Sequence, residues 1–248
     1  MLPRWRSGPV EIVLVRHGHS AGNAADDAAR EAGSEVLDLA DRDADVDLSD
    51  SGREQAEGLA AWLEGLDDDA RPTRAVTSPY RRAAETAVVA LEPLALEPDV
   101  DERLRERDLG ILDGLTGAGI RSRHPDEAAR RKKLGKFYYQ PPSGESWADV
   151  VLRVRSLLTD VREDCDGERV WLFTHQAVIM GFRYVLESLS EEEILEIDRT
   201  VTIPNASVTR YRRSGDRLEL TEFAGTDHLE ESSADVTEQP EQEAARGR

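Results

Sequence analysis

Two continuous apolar runs stand out in the pattern of hydrophobic and polar residues along the chain. The first, residues 12–15, stops at Arg16 and His17, and the second, residues 170–173, stops shortly before His175. Continuous apolar runs of this length are typical of parallel strands that are buried on both faces. Because α/β proteins bind ligands at the carboxyl ends of such strands, we expect both histidines at a ligand-binding edge of one sheet.

Between and after these runs the apolar residues return at helical spacing or in short strands. Residues 20–31 predict a helix with Ser20 as its N-cap, and Ser51 with Glu54 has the spacing of a capping box that opens a second helix. The other predicted elements are a strand at 74–78, helices at 79–90, 145–164, 176–187 and 190–198, and a hairpin of 207–213 with 217–223. The alternation of strands and helices predicts a layered α/β fold with a mostly parallel sheet.

Three stretches lack a regular pattern. Residues 32–47 carry many aspartates with scattered apolar residues, and residues 107–145 combine scattered glycines with a basic run, so we interpret them as a surface excursion and as an insertion that covers a site. Residues 228–248 contain almost no large apolar side chains, which predicts an acidic, disordered tail. We therefore expect one domain over residues 1–227.

Charge and cysteine content narrow the class of protein. The chain has 248 residues and a formal net charge of −19, which should repel nucleic acid and anionic membranes. It has no apolar run long enough to cross a bilayer, we recognise no signal peptide, and its single cysteine, Cys165, fits a reducing compartment. These features predict a cytoplasmic protein with a small-molecule partner. An acidic protein that binds an anion would need a local cluster of arginines.

The candidate chemistry centres on His17. An imidazole can act as a nucleophile, Arg16 beside it can hold an oxyanion, and Arg81 and Arg82 lie near the start of a predicted helix, where anions bind. Glu106 supplies a carboxyl group that could donate a proton, although a surface carboxylate paired with an arginine is the alternative. Such a set suits phosphoryl transfer through a phosphohistidine.

A metal site is the other interpretation of the histidines. His17 and His19 have the spacing of two metal ligands, but no carboxylate lies at a convincing ligand spacing from them. We therefore favour phosphoryl transfer over a metal centre.

In sequence order, seven segments resemble the histidine phosphatase superfamily, in the branch that includes the cofactor-dependent phosphoglycerate mutases. The matching segments are Leu14-Val15-Arg16-His17-Gly18 with Ser20 and Asn23, Leu48-Ser49-x-x-Gly52-x-x-Gln55-Ala56, Thr77-Ser78-x-x-x-Arg82-Ala83-x-x-Thr86-Ala87, Leu104-x-Glu106-Arg107-x-x-Gly110-x-x-x-Gly114, Pro142-x-Gly144-Glu145-Ser146, Thr174-His175 and Pro204-Asn205-x-Ser207. Each segment is weak by itself, but seven in order over residues 11–223 are specific.

The resemblance implies a three-layer α/β/α sandwich of the phosphoglycerate mutase type. It implies that His17 is the phosphorylated nucleophile and Glu106 the proton donor. It also implies a phosphate pocket and a set of substrate contacts. The pocket residues are Arg16, Arg82 and His175, and the substrate contacts are Ser20, Asn23 and Arg107. We also expect a substrate contact from Gln176, which directly follows His175. The family uses no metal for this step, so we expect no cofactor, and by analogy we expect a homodimer.

Several positions depart from the mutase pattern. His19 replaces an acidic residue, Gln176 replaces a glycine, and residues 24–47 differ entirely. The region after Gly114 lacks the basic pattern that would hold phosphoglycerate. We therefore expect a phosphomonoester hydrolase, with mutase-type phosphoryl transfer as the alternative. A phosphate-binding homologue without turnover is a third reading, against which the presence of Glu106 argues.

Overall fold

The computed structural model describes residues 5–232 and 234–238. Within them, six strands form one sheet in the order β3-β2-β4-β1-β5-β6. The strands are β1 (Glu11–Arg16), β2 (Arg74–Thr77), β3 (Asp99–Val100), β4 (Arg169–Thr174), β5 (Val208–Ser214) and β6 (Arg217–Gly225). Strands β1 to β4 are parallel, and β5 and β6 form the antiparallel hairpin at one edge. The predicted α/β fold with a mostly parallel sheet is confirmed.

Helices cover both faces of this sheet. They are α1 (Ala21–Glu31), α2 (Asp50–Gly65), α3 (Arg81–Leu91), α4 (Gly117–Arg123), α5 (Pro125–Leu134), α6 (Trp147–Asp164), α7 (Gln176–Leu186), α8 (Glu191–Thr200) and α9 (Asp227–Ser232). No helix in the described part of the chain is both long enough and apolar enough to cross a lipid bilayer.

The two central strands divide the core into two layers. In β1, Ile12 and Leu14 pack into the core beneath α6 and α7, whereas Val13 and Val15 pack into the core beneath α2 and α3. Side chains of β4 alternate in the same way. Successive side chains of a strand point to opposite faces, so a fully apolar run requires a cover on each side. The three-layer α/β/α sandwich follows from this requirement and is confirmed.

The carboxyl ends of three neighbouring strands meet at one edge of the sheet. Arg16 of β1 pairs with Thr174 of β4, and the amide of His17 extends this ladder by donating to the carbonyl of Thr174 at 2.9 Å. On the other side of β4, the amide of Ser78 donates to the carbonyl of Phe173 at 2.9 Å. The residues that follow β1, β2 and β4 are therefore neighbours.

Helix starts agree with the sequence prediction at α1 and differ at α2. Ser20 caps α1 in a capping box with Asn23. Helix α2 begins at Asp50 with Ser49 as its cap, so the predicted capping box of Ser51 and Glu54 is wrong. The physical reason is that the Ser49 hydroxyl already accepts from the amide of Gly52 at 3.1 Å, which leaves Ser51 inside the first turn.

The two irregular stretches pack against each other. The insertion contains α4 and α5 and a small separate core of Leu112, Leu115, Ile120 and Tyr139. The acidic excursion joins it where the amide of Thr116 donates to the carbonyl of Glu35 at 3.1 Å and its hydroxyl donates to the carbonyl of Ser34 at 2.7 Å. They form one unit beside the carboxyl edge of the sheet.

The structure differs from the sequence prediction at the carboxyl-terminal end. Residues 227–232 form α9 instead of a disordered segment, and both His228 and Leu229 are buried. The ring of His228 lies 5.3 Å from the ring of Trp62 on α2, which gives this short helix an aromatic anchor. Residues 234–238 also pack on the domain, through hydrogen bonds to Gln55 and Asn205. The remainder of the predicted tail, residues 239–248, lies outside the described residues.

Candidate active site

His17 is buried at the end of β1 with its ring in a defined orientation. Its Nδ1 lies 2.7 Å from the carbonyl oxygen of Gly18. A carbonyl oxygen can only accept a hydrogen bond, so we assign the proton to Nδ1. The lone pair of Nε2 is then available to attack an electrophile.

Close packing holds the loop that carries His17. The amide of Gly18 donates to the hydroxyl of Thr86 on α3 at 3.0 Å. A Cβ on Gly18 would lie 2.6 Å from the carbonyl oxygen of Gly52, and a Cβ on Gly52 would lie 1.9 Å from the carbonyl oxygen of His19. The loop and the first turn of α2 touch backbone to backbone, which explains glycine at both positions.

His175 follows β4 and lies beside His17, with ring centroids 5.1 Å apart. Its Nε2 is 2.8 Å from the hydroxyl of Ser78, and the ring of Tyr80 packs edge-on at 5.2 Å. Among the described residues, the buried Nδ1 of His175 has no hydrogen-bond partner. A buried nitrogen of this kind can be satisfied by a ligand.

Two buried arginines flank the histidines. The guanidinium of Arg16 donates to the carbonyl of Ile203. That of Arg82 lies 3.0 Å from the carboxylate of Asp43 and 5.2 Å from the centre of the Tyr80 ring. The neighbouring Arg81 is exposed and pairs with an aspartate at 2.9 Å. The structure therefore places Arg82, and not Arg81, among the buried groups of this edge.

Burial and positive charge keep the imidazoles neutral. Burial holds the pKa of His17 well below its usual value, and the charges of Arg82 and Arg16 lower this pKa further. Burial, followed by the charge of Arg82, has the same effect on the pKa of His175. Burial also lowers the pKa of Arg16 to about 10, so this arginine is still charged at neutral pH. A neutral imidazole beside fixed cations is suited to receive an anion.

Glu106 is half-buried near the same cations. Its carboxylate accepts from the amide of Arg107 at 2.8 Å. Burial raises its pKa, Arg82 and Arg153 oppose this, and the charge of Asp43 adds to it. A raised pKa favours the protonated form that a general acid needs.

The arginines close to Glu106 in sequence and in space are paired elsewhere. Arg105 and Arg153 form ion pairs with Glu145 at 2.6 Å and 3.1 Å. No ion pair of Glu106 is found among the described residues. The arginine-paired carboxylate of this region is therefore Glu145 and not Glu106.

A cavity of about 190 Å³ lies next to these groups. Its lining includes Arg16, Glu106, Arg107, Gln176 and Arg131. The buried Nε of Arg107 has no hydrogen-bond partner among the described residues. Two of the four predicted substrate contacts, Arg107 and Gln176, thus face this cavity.

The other two predicted contacts have structural hydrogen bonds. The hydroxyl of Ser20 donates to the side-chain oxygen of Asn23 at 2.9 Å within the cap of α1, and neither residue lines the cavity. His19 is also held by the fold, because its Nδ1 lies 2.8 Å from the hydroxyl of Ser49. In residues 5–232 and 234–238, no three metal-ligating side chains are grouped as a metal site.

Sequence reasoning did not assign roles to several residues that complete this edge. Ser78 and Tyr80 contact His175, and Arg131 lines the cavity. The hydroxyl-bearing residues at the end of β2 could have indicated Ser78, and the basic run 130–133 could have indicated Arg131. Asp43, which pairs with Arg82, carries no such signal because it is one of many aspartates in its stretch.

The chain is similar to known proteins both in sequence and in structure. The sequence model of the histidine phosphatase superfamily (branch 1) matches residues 12–226. Phosphoglycerate mutase-like protein 4 of Arabidopsis thaliana is 30% identical over 224 residues, which covers 90% of this chain and 88% of the relative. The 6-phosphofructo-2-kinase/fructose-2,6-bisphosphatase of Gallus gallus is 31% identical over 185 residues, which covers 74% of this chain but only 34% of the relative.

Solved structures show the same fold. A mycobacterial glucosyl-3-phosphoglycerate phosphatase in complex with VO3 superposes with a TM-score of 0.67 and 28% identity, over 88% of this chain and 100% of the other. A phosphoglycerate mutase from Bacillus anthracis has a TM-score of 0.67 at 19% identity, over 92% of this chain and 99% of the other. At that identity the mutase supports the fold alone.

Proposed function

Because this chain belongs to the histidine phosphatase superfamily, we propose that it is a phosphomonoester hydrolase that works through a phosphohistidine on His17. The observation that carries this proposal is the state of the His17 ring. Its pKa is held well below the usual value by burial, and Nδ1 is engaged by Gly18 at 2.7 Å, so the nucleophilic lone pair belongs to Nε2. The charges of Arg82 and Arg16 act on the ring of His17, which supports a role for both cations in holding a phosphoryl group.

In the first step, the lone pair of His17 Nε2 attacks phosphorus and the bond between phosphorus and the ester oxygen breaks. The proton of Glu106 goes to the leaving oxygen, so the alcohol departs neutral. Arg16, Arg82 and the Nδ1 of His175 hold the non-bridging oxygens. The ring of His17 gains a positive charge, which the carbonyl of Gly18 stabilises.

In the second step, water attacks the phosphohistidine. The Glu106 carboxylate takes a proton from that water, the bond between phosphorus and nitrogen breaks, and inorganic phosphate leaves. Glu106 is then protonated again and His17 is neutral, so the cycle closes without any other reactant. Arg107 and Gln176, which line the adjoining cavity, contact the organic part of the substrate.

Two relatives support phosphoryl chemistry of this kind. The mycobacterial phosphatase was solved with VO3, an oxyanion that resembles the phosphoryl group in transfer. The Gallus gallus relative carries a bisphosphatase activity in its name, although this chain spans only about a third of it. Both names include a phosphatase activity on a small phosphorylated compound, and a small phosphomonoester is the substrate class that we propose.

The test is hydrolysis of p-nitrophenyl phosphate and of an alkyl phosphate in the presence of EDTA. His17→Ala should abolish both activities, whereas His124→Ala, the same change at a helix junction outside this set of residues, should leave both unchanged. In single-turnover experiments, Glu106→Gln should slow phosphoryl transfer to His17 from the alkyl ester by about 10²–10⁴-fold and from p-nitrophenyl phosphate much less, because p-nitrophenolate leaves without a proton. The second step, in which Glu106 acts as the base, should slow equally for both substrates. Wild-type rates in His17→Ala would disprove the mechanism.

Mutase-type transfer is the alternative within the family, and the Arabidopsis thaliana relative motivates it. The two reactions differ in the fate of the phosphoryl group. If 3-phosphoglycerate is isomerised faster than inorganic phosphate is released, the protein is a mutase. We expect phosphate release to dominate.

A further inference from the structure

Residues 234–238, here called the C-terminal strap, lie against two amide side chains that are completely buried. Nε2 of Gln55 donates to the carbonyl of Asp235 at 2.7 Å and to the hydroxyl of Thr237 at 2.9 Å. The backbone amide of Asn205 donates to the carbonyl of Thr237 at 3.0 Å. The hydroxyl of Thr237 in turn donates to the side-chain oxygen of Asn205 at 3.1 Å. One threonine therefore joins two buried amides.

These two amides hold the loop of the nucleophile on both sides of Gly18. Oε1 of Gln55 accepts from the backbone amide of His19 at 2.8 Å. Nδ2 of Asn205 donates to the backbone carbonyl of His17 at 3.1 Å. The loop is thus tied to the strap through one side chain at each end.

Each N–H or O–H donor on the side chains of Gln55, Asn205 and Thr237 has a partner in this network. Both N–H groups of the Gln55 amide are used by the strap, and both N–H groups of the Asn205 amide are used by His17 and by Asn23 at 3.3 Å. The Thr237 hydroxyl gives its one hydrogen to Asn205 and accepts one from Gln55. Without that hydroxyl, one buried donor and one buried acceptor would lose their partners, which is costly in a buried network.

The network reaches the His17 ring through a single peptide unit. The amide of His19 and the carbonyl of Gly18 belong to the same planar peptide group, so a contact that fixes one of them also fixes the other. The carbonyl of Gly18 holds Nδ1 of His17 at 2.7 Å. A rotation of this peptide would move the acceptor that selects the tautomer and the tilt of the imidazole.

We propose that Thr237 is a positioning residue for phosphoryl transfer. Its hydroxyl orients Gln55 and Asn205, and these orient the loop so that Nε2 of His17 faces the phosphoryl group. The inference rests on the proposed role of His17. Thr237 does not line the cavity beside Glu106, so it acts on the rate of phosphoryl transfer and not on binding.

The test compares Thr237→Val with Thr237→Ser in the full-length chain. Valine keeps the shape of threonine and removes the hydroxyl with its hydrogen bonds to Gln55 and Asn205, so kcat for p-nitrophenyl phosphate should fall about tenfold, with KM within about twofold. Serine should restore kcat. Val236→Ala, at the neighbouring exposed position of the strap, is the matched control and should behave as the wild type. Melting curves should show each variant folded at the assay temperature.

A second readout observes the ring directly. In the wild type, the ¹⁵N shifts of the His17 imidazole should report one tautomer with the proton on Nδ1, and Thr237→Val should show a mixture. Wild-type kcat in Thr237→Val, while His17→Ala is inactive, would overturn the positioning role alone. Failure of serine to restore kcat would overturn it as well. Wild-type rates in His17→Ala would disprove the phosphohistidine mechanism. In that case, unchanged ¹⁵N shifts in Thr237→Val would show separately that Thr237 does not position the His17 ring.

Discussion

One carboxylate, Asp43, connects the acidic excursion to the candidate site. It contacts Arg82 at 3.0 Å, and its charge acts together with burial to raise the pKa of Glu106. The excursion therefore has an electrostatic effect on the proposed proton donor. The negative charge of Asp43 disfavours a second negative charge on Glu106, so the acid stays protonated to a higher pH.

We expect Asp43→Asn to move the basic limb of the pH–rate profile to lower pH. Loss of this negative charge lets Glu106 ionise more easily, and Arg82, released from its ion pair, lowers the pKa of Glu106 further. Activity depends on protonated Glu106 in the proposed mechanism, so it should disappear at a lower pH than in the wild type. The measurement is kcat against pH with an alkyl phosphate.

Asp45→Asn is the control, because Asp45 lies in the same turn and forms an exposed ion pair with Arg42 at 2.6 Å. Its basic limb should coincide with that of the wild type. An unmoved limb in Asp43→Asn, or an equal shift in both variants, would contradict the electrostatic link.

At the residue scale, the sequence identified the groups whose chemistry is unusual and missed those whose role depends on position. A histidine or an arginine at the end of an apolar run is conspicuous, and His17 and Arg82 also lie in ordered motifs. Asp43 and Thr237 are ordinary residues of polar stretches, and only the folded chain brings them to Arg82 and to Gln55.

At the scale of elements, the first turn of α2 packs closely against the loop of the nucleophile. A Cβ on Gly52 would overlap the carbonyl of His19, because the two would be only 1.9 Å apart. This carbonyl belongs to backbone and cannot rotate away as a side chain would. The helix and the loop can be separated only by a shift of one of them.

We therefore expect Gly52→Ala to displace the loop, to lower kcat by at least about tenfold and to destabilise the fold by about 1–3 kcal/mol, as overpacking does. Gly65→Ala, the same change at the other end of the same helix, meets open space and should be neutral or slightly stabilising. Urea unfolding and kcat measured on both variants give the comparison. Similar behaviour of the two variants would show that the contact with His19 is unimportant.

Elements were predictable where burial gives them a pattern. Strands β1 and β4 and helices α1, α6 and α7 were found within about two residues of their ends, the ordinary uncertainty of such boundaries. Strand β3 has two exposed residues, and α5 has no buried residue, so neither produces an apolar period. The order of the strands in the sheet could likewise not be predicted from the sequence, because strand pairing depends on contacts between segments that are distant in the chain.

At the scale of the whole molecule, the net charge of −19 opposes the compact state. Exposed ion pairs such as Arg42 with Asp45 act in the other direction, but each contributes only about 0–1 kcal/mol. Repulsion among the excess acidic groups is therefore expected to be the larger effect of the surface charge.

Raising KCl from about 0.01 M to about 0.1 M should increase the free energy of unfolding, because the screening length falls from about 30 Å to about 10 Å. Urea is the denaturant of choice, since it adds no ions. An uncharged osmolyte at equal osmolarity serves as the control for effects that are not electrostatic. A lower urea midpoint in KCl would mean that the ion pairs outweigh the repulsion.

The position of β1 in the sheet also has a consequence for the order of events during synthesis. This strand ends next to the proposed nucleophile and is translated before the other five strands of the sheet, yet its two neighbours, β4 and β5, begin only at Arg169 and Val208. Until they are made, β1 has two unpaired edges, the kind of surface that promotes aggregation of nascent chains. Pairing across such sequence separation is slow, so the candidate site is completed only after β4 and β5 have been translated.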